Sequence, residues 1–177
     1  TREDIDPVRF ISNKSSGIQG YTLAESLASL GANVTLVSGP TSIKKPRTLK
    51  QIINVNSASE MLAACEAILP VKLAICCAAV TDWYISNKST KKIKKNKETA
   101  PSLIFKNNPD ILATLSSHKK RPLFLIGFAA ETEDIIKNAK TKLRNKKCDL
   151  IIANDVSEKA DVFGNNMNKI YIIGKKN

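Results

Sequence analysis

Short polar segments carry the residue types that could do chemistry. Asn13-Lys14-Ser15-Ser16-Gly17 stands directly before a helix-forming stretch. Unpaired backbone N–H groups and the positive end of a helix dipole favour an anion there, such as a phosphate or carboxylate. The Gly-x-x-x-x-Gly-Lys-Ser/Thr spacing of a Walker loop is absent and Gly17-x-x-Gly20 alone is nonspecific, so a plain cap by Ser15 or Ser16 is the competing reading. Lys91-Lys92-Ile93-Lys94-Lys95 offers cations that could close over a polyphosphate, at about 1.5–3 kcal/mol for each good charge-assisted hydrogen bond; a solvated charge run is the alternative. Ser38-Gly39-Pro40, Asp82, Glu131-Thr132 and Asn154-Asp155 each follow or end a strand-like run. His118 reads as a surface or capping residue, no Ser/His/Asp or Cys/His arrangement can be argued from spacing, and no Cys/His set suits zinc.

These segments need elements to position them. Small and apolar residues at helical spacing predict a helix over 18–30 with Gly31 as its stop, followed by strands over 33–38 and 48–55. Ser57 and Glu60 have capping-box spacing, which predicts a helix reaching Leu69. The continuous apolar run over 73–80 reads as a central strand covered on both faces. The polar stretch over 81–100 exceeds ordinary connections and is a lid candidate. A short strand is expected over 103–105, a helix from Asn108-Pro109-Asp110 with Asn108 as cap, and strands over 123–128, 149–153 and 169–173, the last after an Asn-rich turn. A helix over 131–147 has acids early and bases late. Strand–helix alternation with buried strands makes this an α/β fold, a mostly parallel sheet with helices on both faces in a Rossmann-like three-layer arrangement and a single domain over 1–177. In such sheets ligands sit at the carboxyl ends of strands, where the polar segments cluster.

Composition narrows the partners. Lys and Arg number 28 against 16 Asp and Glu, a formal charge of +12, much of it in Lys clusters. Such clusters suit phosphorylated small molecules as well as nucleic acid. The few aromatics are not interleaved with them as base stacking would require, so nucleic acid is the weaker partner. No run approaches the roughly 20 apolar residues that span a bilayer. The charged opening Thr1-Arg2-Glu3-Asp4 has no signal core, so a cytoplasmic location is expected, and the missing initiator Met suggests a fragment or processed chain. Cys65, Cys76, Cys77 and Cys148 lack metal-ligand spacing and read as reduced, mostly buried thiols.

The run Thr1-Arg2-Glu3-x-Ile5-Asp6-Pro7-Val8-Arg9-Phe10-Ile11-Ser12-Asn13-x-Ser15-Ser16-Gly17-x-x-Gly20 resembles the phosphopantothenoylcysteine synthetase family of coenzyme A biosynthesis. Further blocks follow in the family's order: Val34 to Pro40, Ala78-Ala79-Val80-x-Asp82-Trp83, Lys92-Ile93-Lys94-Lys95, Asn108-Pro109-Asp110-Ile111, Gly127-Phe128-Ala129-Ala130-Glu131-Thr132 and Ala153-Asn154-Asp155-Val156. The resemblance is closest to the bacterial CTP-using form, the C-terminal half of a bifunctional protein whose upstream half binds FMN. It implies that phosphopantothenate is activated by CTP, with Mg2+, to an acyl-cytidylate, and that cysteine then displaces CMP to form an amide.

By resemblance, Asn13 hydrogen-bonds the acyl-cytidylate and Lys92 holds phosphate charge. Nucleotide contacts are implied from Ala78, Asp82, Lys92, Asn108, Pro109, Asp110, Ile111, Phe128, Lys142 and Lys146, with metal ligands unassigned and a homodimer as the assembly. Lys142 and Lys146 lie four apart on a predicted helix, which lets both face one ligand or form a plain basic last turn. The upstream half, the family's first strand with its Gly-rich turn and its C-terminal helix are not in this chain, so truncation at both ends is expected. Asn107 stands where Lys is common, Thr81 replaces a usual Ala, and a common Gly and Asp are missing near 162–166. The rival readings are an inactive or nucleotide-binding-only fragment, a nicotinamide oxidoreductase, which needs a Gly-x-Gly-x-x-Gly turn that is not visible, and a basic RNA- or DNA-binding module.

Overall fold

Residues 1–95, 99–157 and 169–175 are described by the computed structural model. The Asn-rich turn at 162–166, Lys97 and Lys176 lie outside them. The chain forms two compact units: Thr1–Ala67 with Ala78–Pro109, and Ile68–Cys77 with Asp110–Asn177.

The first unit opens with a hairpin that hydrophobic patterning does not announce. Strand β1 (Arg2–Asp6) pairs antiparallel with β2 (Arg9–Ser12), Arg2 opposite Ser12. The buried positions of β1 are the acids Glu3 and Asp6, so an apolar alternation is absent where a strand forms. Helix α1 (Ile18–Ser29) follows, with Gly17 as its cap residue in the left-handed region at φ 82°. A side chain there would be strained, and its Cβ would also stand 3.3 Å from Thr41 Oγ1. Tyr21 and Ala24 turn into the core, and Gly31 (φ 89°) follows the end of the helix as expected.

Strands β3 (Thr35–Ser38) and β4 (Gln51–Asn54) pair in parallel. Helix α2 (Ala58–Ala67) carries the foreseen capping box: Glu60 N–H donates to Ser57 Oγ at 3.2 Å and Asn56 N–H donates to Glu60 Oε2 at 2.7 Å. It ends at Ala67 rather than Leu69.

In the second unit β5 (Leu73–Cys76) begins a four-stranded sheet. The stretch expected to be wholly a loop contains a strand of the first unit, β6 (Trp83–Ile85), paired antiparallel with β7 (Phe105–Asn107). The expected strand over 103–105 is thus displaced toward its C-terminus. Trp83-Tyr84-Ile85 is a β-forming run, and Ile85, 2 % exposed, is where it enters the core.

Helix α3 (Ile111–Ser117) starts at Asp110, not Asn108, because Asp110 Oδ1 accepts from Ala113 N–H at 3.0 Å while the amides of Asn108 are engaged elsewhere. Strand β8 (Phe124–Glu131) runs through Glu131, and α4 (Ile135–Lys146) starts after it. The acids therefore precede the helix, and only the basic last turn, Arg144 and Lys146, stands as expected. Strands β9 (Leu150–Asp155) and β10 (Ile170–Gly174) complete the sheet in the order β10-β9-β8-β5, with β5, β8 and β9 parallel and β10 antiparallel. Within that sheet β5 stands at an end rather than in the centre. Its faces are not covered either: Leu73 is 41 % exposed and no residue of β5 is buried, so the apolar run does not report a strand covered on both faces.

Helix α4 packs on β8, β9 and β10 through Ala139 and Leu143. On β8, Gly127 admits α3: a Cβ there would lie 2.5 Å from Leu112 Cδ2 and 2.8 Å from Ile151 Cδ1. Gly127→Ala is therefore expected to destabilise the protein by about 1–3 kcal/mol through overpacking, read as a lowered urea midpoint with unchanged slope.

Candidate functional site

Two expected residues of the first unit, Asn13 and Asn108, reach one irregular segment, 78–82, which itself holds Ala78 and Asp82. Asn13, just past β2, donates from Nδ2 to the Val80 carbonyl at 3.1 Å. Nδ2 carries two hydrogens, and Val80 takes one. Asn108 donates from its backbone N–H to Asp82 O at 2.8 Å and from Nδ2 to Thr81 O at 2.9 Å and Thr81 Oγ1 at 3.1 Å. Asn13, Asp82 and Asn108, far apart in sequence, are thus fastened to the same few residues, with Ala78 at the head of the segment. Ala78, Asp82 and Asn13 are exposed, whereas Thr81 is buried.

Glu3 ties this segment to α2. Its Oε1 accepts from Ala58 N–H at 2.8 Å, at the start of the helix, and from Thr81 Oγ1 at 3.2 Å. A shallow, open cavity is lined by Ser59, Leu62, Ala63 and Glu66 of α2, together with Tyr84, Asn107, Asn108 and Pro109. Asn107, the position where Lys was expected, thus faces a cavity.

The lysine strap is fixed by the other acid of β1. Asp6 Oδ1 accepts from the N–H groups of Val8 and Arg9, both at 2.9 Å. Asp6 Oδ2 accepts from Arg9 Nε at 3.0 Å, Arg9 Nη2 at 2.5 Å and Ile93 N–H at 3.0 Å. Arg9 Nη2 then donates to Ile93 O at 2.8 Å, so both backbone groups of Ile93 are held. Ser89 N–H donates to Ile5 O at 2.9 Å, a second fastening of the same stretch. The Arg9 guanidinium, followed by the backbone donors, outweighs burial and holds the Asp6 carboxyl well below the usual carboxylate range. Lys92 is exposed beside this anchor. Among the described residues no hydrogen bond joins Lys92 to segment 78–82; the hairpin links them, through Glu3 on one side and Asp6 and Arg9 on the other.

At the start of α1 no side chain caps the helix. Ser16 Oγ accepts from Ile18 N–H at 3.3 Å, and Thr41 Oγ1 donates to Ser16 O at 2.8 Å, which holds the preceding loop. The expected cap by Ser15 or Ser16 is thus reduced to one long Ser16 contact.

The second unit gathers Asp110, Lys142 and Lys146. Lys146 Nζ is hydrogen-bonded to Asp110 Oδ2. Burial raises the Asp110 carboxyl, but the Lys146 bond, the Ala113 N–H and the charges of Lys146 and Lys142 together pull it below its ordinary value. Ile111 is buried and belongs to the core, Pro109 lines the cavity of the first unit, and Phe128 is half-buried on β8. Glu131 and Asp155 are register partners at the ends of β8 and β9, where Val156 N–H donates to Glu131 O at 2.9 Å and Asn138 Nδ2 donates to Glu131 Oε2 at 3.1 Å. Burial raises the thiols of Cys77, Cys148 and Cys65, the last to about 11, so they are poor nucleophiles. Sequence reasoning assigned no role to Glu3, Asp6 or Arg9; the signal was present as three charged residues in one short polar run.

Two measurements check this geometry. Asp6→Asn keeps the shape and removes the charge, so hydrogen exchange at the Ile93 amide should accelerate about tenfold or more, as loss of one charge-assisted bond predicts. Lys146→Ala removes the largest lowering influence on the Asp110 carboxyl and leaves burial in place, so its titration should move upward, read by NMR. Because Asp110 titrates lower when folded, its contribution to stability is present above about pH 4 and lost as pH falls through the folded-state value, and the variant should flatten that dependence.

Comparison with known proteins gives the family. All residues, 1–177, match the DNA/pantothenate metabolism flavoprotein C-terminal domain. The coenzyme A biosynthesis bifunctional protein CoaBC of Vibrio vulnificus is 45% identical over 172 residues, 96% of this chain and 43% of that protein. The chain therefore spans less than half the length of that relative. Among solved structures, the C-terminal domain of a CoaBC protein superposes with TM-score 0.76 at 36% identity over 99% of this chain and 81% of that one. A Cab2 mutant solved with phosphopantothenate-cysteine shares the fold at TM-score 0.73 and 17% identity, over 98% of this chain and 73% of that one. The architecture is the expected Rossmann-like α/β fold, a mostly parallel sheet with helices on both faces, and the chain belongs to the DNA/pantothenate metabolism flavoprotein C-terminal domain family, as the synthetase part of CoaBC proteins does.

Proposed function

We propose that this chain is a phosphopantothenate–cysteine ligase that uses CTP, the amide-forming step of coenzyme A biosynthesis. The observation that carries the reading is that Asn13 and Asn108 are both fastened to segment 78–82, which holds Ala78 and Asp82, in a chain 45% identical to a CoaBC protein.

A carboxylate is a poor electrophile and must first be activated. The carboxylate of phosphopantothenate attacks the α-phosphorus of CTP and pyrophosphate leaves, giving an acyl-cytidylate. The amine of cysteine then attacks the acyl carbon, loses a proton and expels CMP. Asn13 suits the anhydride because a neutral amide donates a hydrogen bond without repelling anions, and its second Nδ2 hydrogen is the donor at hand. Lys92, on a strap whose backbone is fixed at Ile93, supplies positive charge for phosphate oxygens; within the second unit, Lys142 and Lys146 stand by Asp110. The described residues contain no group of three or more His, Cys, Asp or Glu side chains placed to hold a metal. Asp82, an exposed carboxylate within segment 78–82, would be the residue to meet magnesium carried by the triphosphate, the usual mode for this ion. The same reading includes a homodimer in the cytoplasm, and FMN confined to an upstream domain of the longer relatives.

The test uses the full-length natural protein with CTP, magnesium, phosphopantothenate and cysteine, with pyrophosphate and CMP as readouts. Both should form in step with amide. Asn13→Asp should lower amide formation about a hundred- to a thousandfold, the usual cost of losing a positioned donor. Binding of CTP with no pyrophosphate would replace the ligase by a nucleotide-binding domain. Unchanged turnover in Asn13→Asp would remove Asn13 from the chemistry.

A further inference from the structure

Thr81 occupies a position where the resembling family commonly has Ala, and its hydroxyl is not idle. The residue is 2 % exposed. A hydroxyl has one hydrogen to donate and two lone pairs to accept with, and the neighbours of Thr81 Oγ1 account for all three. Its hydrogen goes to Glu3 Oε1 at 3.2 Å, because a carboxylate oxygen accepts. One lone pair takes a hydrogen from Asn108 Nδ2 at 3.1 Å. The other faces Thr1 Oγ1 at 3.1 Å, and because the single hydrogen of Thr81 Oγ1 is given to Glu3, the Thr1 hydroxyl is the donor between the two, while it accepts from Thr81 N–H at 3.1 Å.

The consequence falls on Asn108. The Thr81 carbonyl can only accept, so Nδ2 must face it, and the second Nδ2 hydrogen rests on Oγ1. Both amide hydrogens are thereby committed and the carboxamide cannot flip. What remains is Oδ1, buried and without a protein partner among the described residues. An unpaired buried acceptor is unfavourable, and a ligand whose N–H or O–H reaches it, once the side chains covering it give way, removes that penalty. Asn108 also lines the cavity of the first unit.

We propose that Thr81 is a positioning residue for nucleotide binding: its carbonyl sets which way round the Asn108 carboxamide stands and its hydroxyl holds the second amide hydrogen, so that Oδ1 is kept as an acceptor for donor groups of a nucleotide's base or ribose rather than for its phosphates. This rests on the ligase reading above. Alanine at 81 keeps the carbonyl, and with it the orientation of the amide, but leaves one Asn108 hydrogen unheld, so the amide rocks about its remaining bond and the acceptor is held less firmly in place. Serine restores the hydroxyl. Valine keeps the shape without it.

The experiment compares T81A, T81V and T81S in the full-length natural protein, with CTP binding by calorimetry, steady-state kinetics and NMR exchange of the Asn108 side-chain amide. Expected are a rise of about fivefold in the Kd and KM for CTP in T81A and T81V, kcat within about twofold, and faster Asn108 amide exchange. That size is what loss of one neutral hydrogen bond predicts. T81S should stay within about twofold of the parent on every readout. If T81S behaves like T81V, or if T81A alters kcat while the CTP affinity stays constant, the positioning role is wrong. Parent protein that binds no CTP would overturn the ligase reading itself, and this inference with it, whereas tight and equal CTP binding by parent and T81A overturns only the inference. Should T81A fail to fold, the contrast between T81S and T81V decides between the same two outcomes.

Discussion

Two carboxylates on one five-residue strand set the geometry of the first unit. Glu3 and Asp6 are both buried and both spend their oxygens on groups from distant parts of the chain. Taking a carboxylate out of water costs several kcal/mol unless donors replace the lost hydration. Asp6 meets that condition with Arg9 and three backbone N–H groups, and Glu3 with a helix-terminal N–H and the Thr81 hydroxyl. The donors are therefore as constrained as the acids. Because they belong to the lysine strap, to the start of α2 and to segment 78–82, one hairpin fixes the relative placement of all three.

The chemistry proposed for this scaffold asks the same of polar groups that the scaffold asks of itself. An acyl-phosphate anhydride is reactive toward water and needs neutral donors and well-held cations rather than additional acids. Asn13 and Asn108 are neutral amides tied by their nitrogens to main-chain oxygens, and so are held without bringing charge to the site. The second unit uses a different device, in which Lys146 rests against Asp110 and the helix cap and the cation stabilise one another.

Sequence patterning made the second unit legible. Apolar runs at 123–128 and 149–153 became β8 and β9, and the basic last turn of α4 was correctly located, since each reports burial or a dipole directly. The α2 capping box was equally readable, because both partners are local. The hairpin was not, since its buried positions are acids whose partners lie as far away as Ile93. Residues 83–85 were hidden for a related reason: three apolar residues inside a long polar stretch give no period, and their strand exists through pairing with Phe105–Asn107. The helix start at Asp110 was misjudged because Asn108, an equally good cap by type, is held at 81–82. The candidate site residues were named by motif resemblance; how they are held could not be read that way, since spacing along a chain carries no information about who accepts whose hydrogen.

The fastening at Ile93 changes what the lysine strap is. A tract of like charges tends to splay, and drawing it onto an anion ordinarily requires the backbone to surrender its freedom at the moment of contact, roughly 1–2 kcal/mol for each residue fixed. Here both peptide groups flanking the Ile93 side chain are seized beforehand by Asp6 and Arg9. The ammonium groups on either side swing from a stationary pivot, and only their own rotamers remain to be quenched. A segment that reads as a loose flap therefore operates as a hinge pin with short arms.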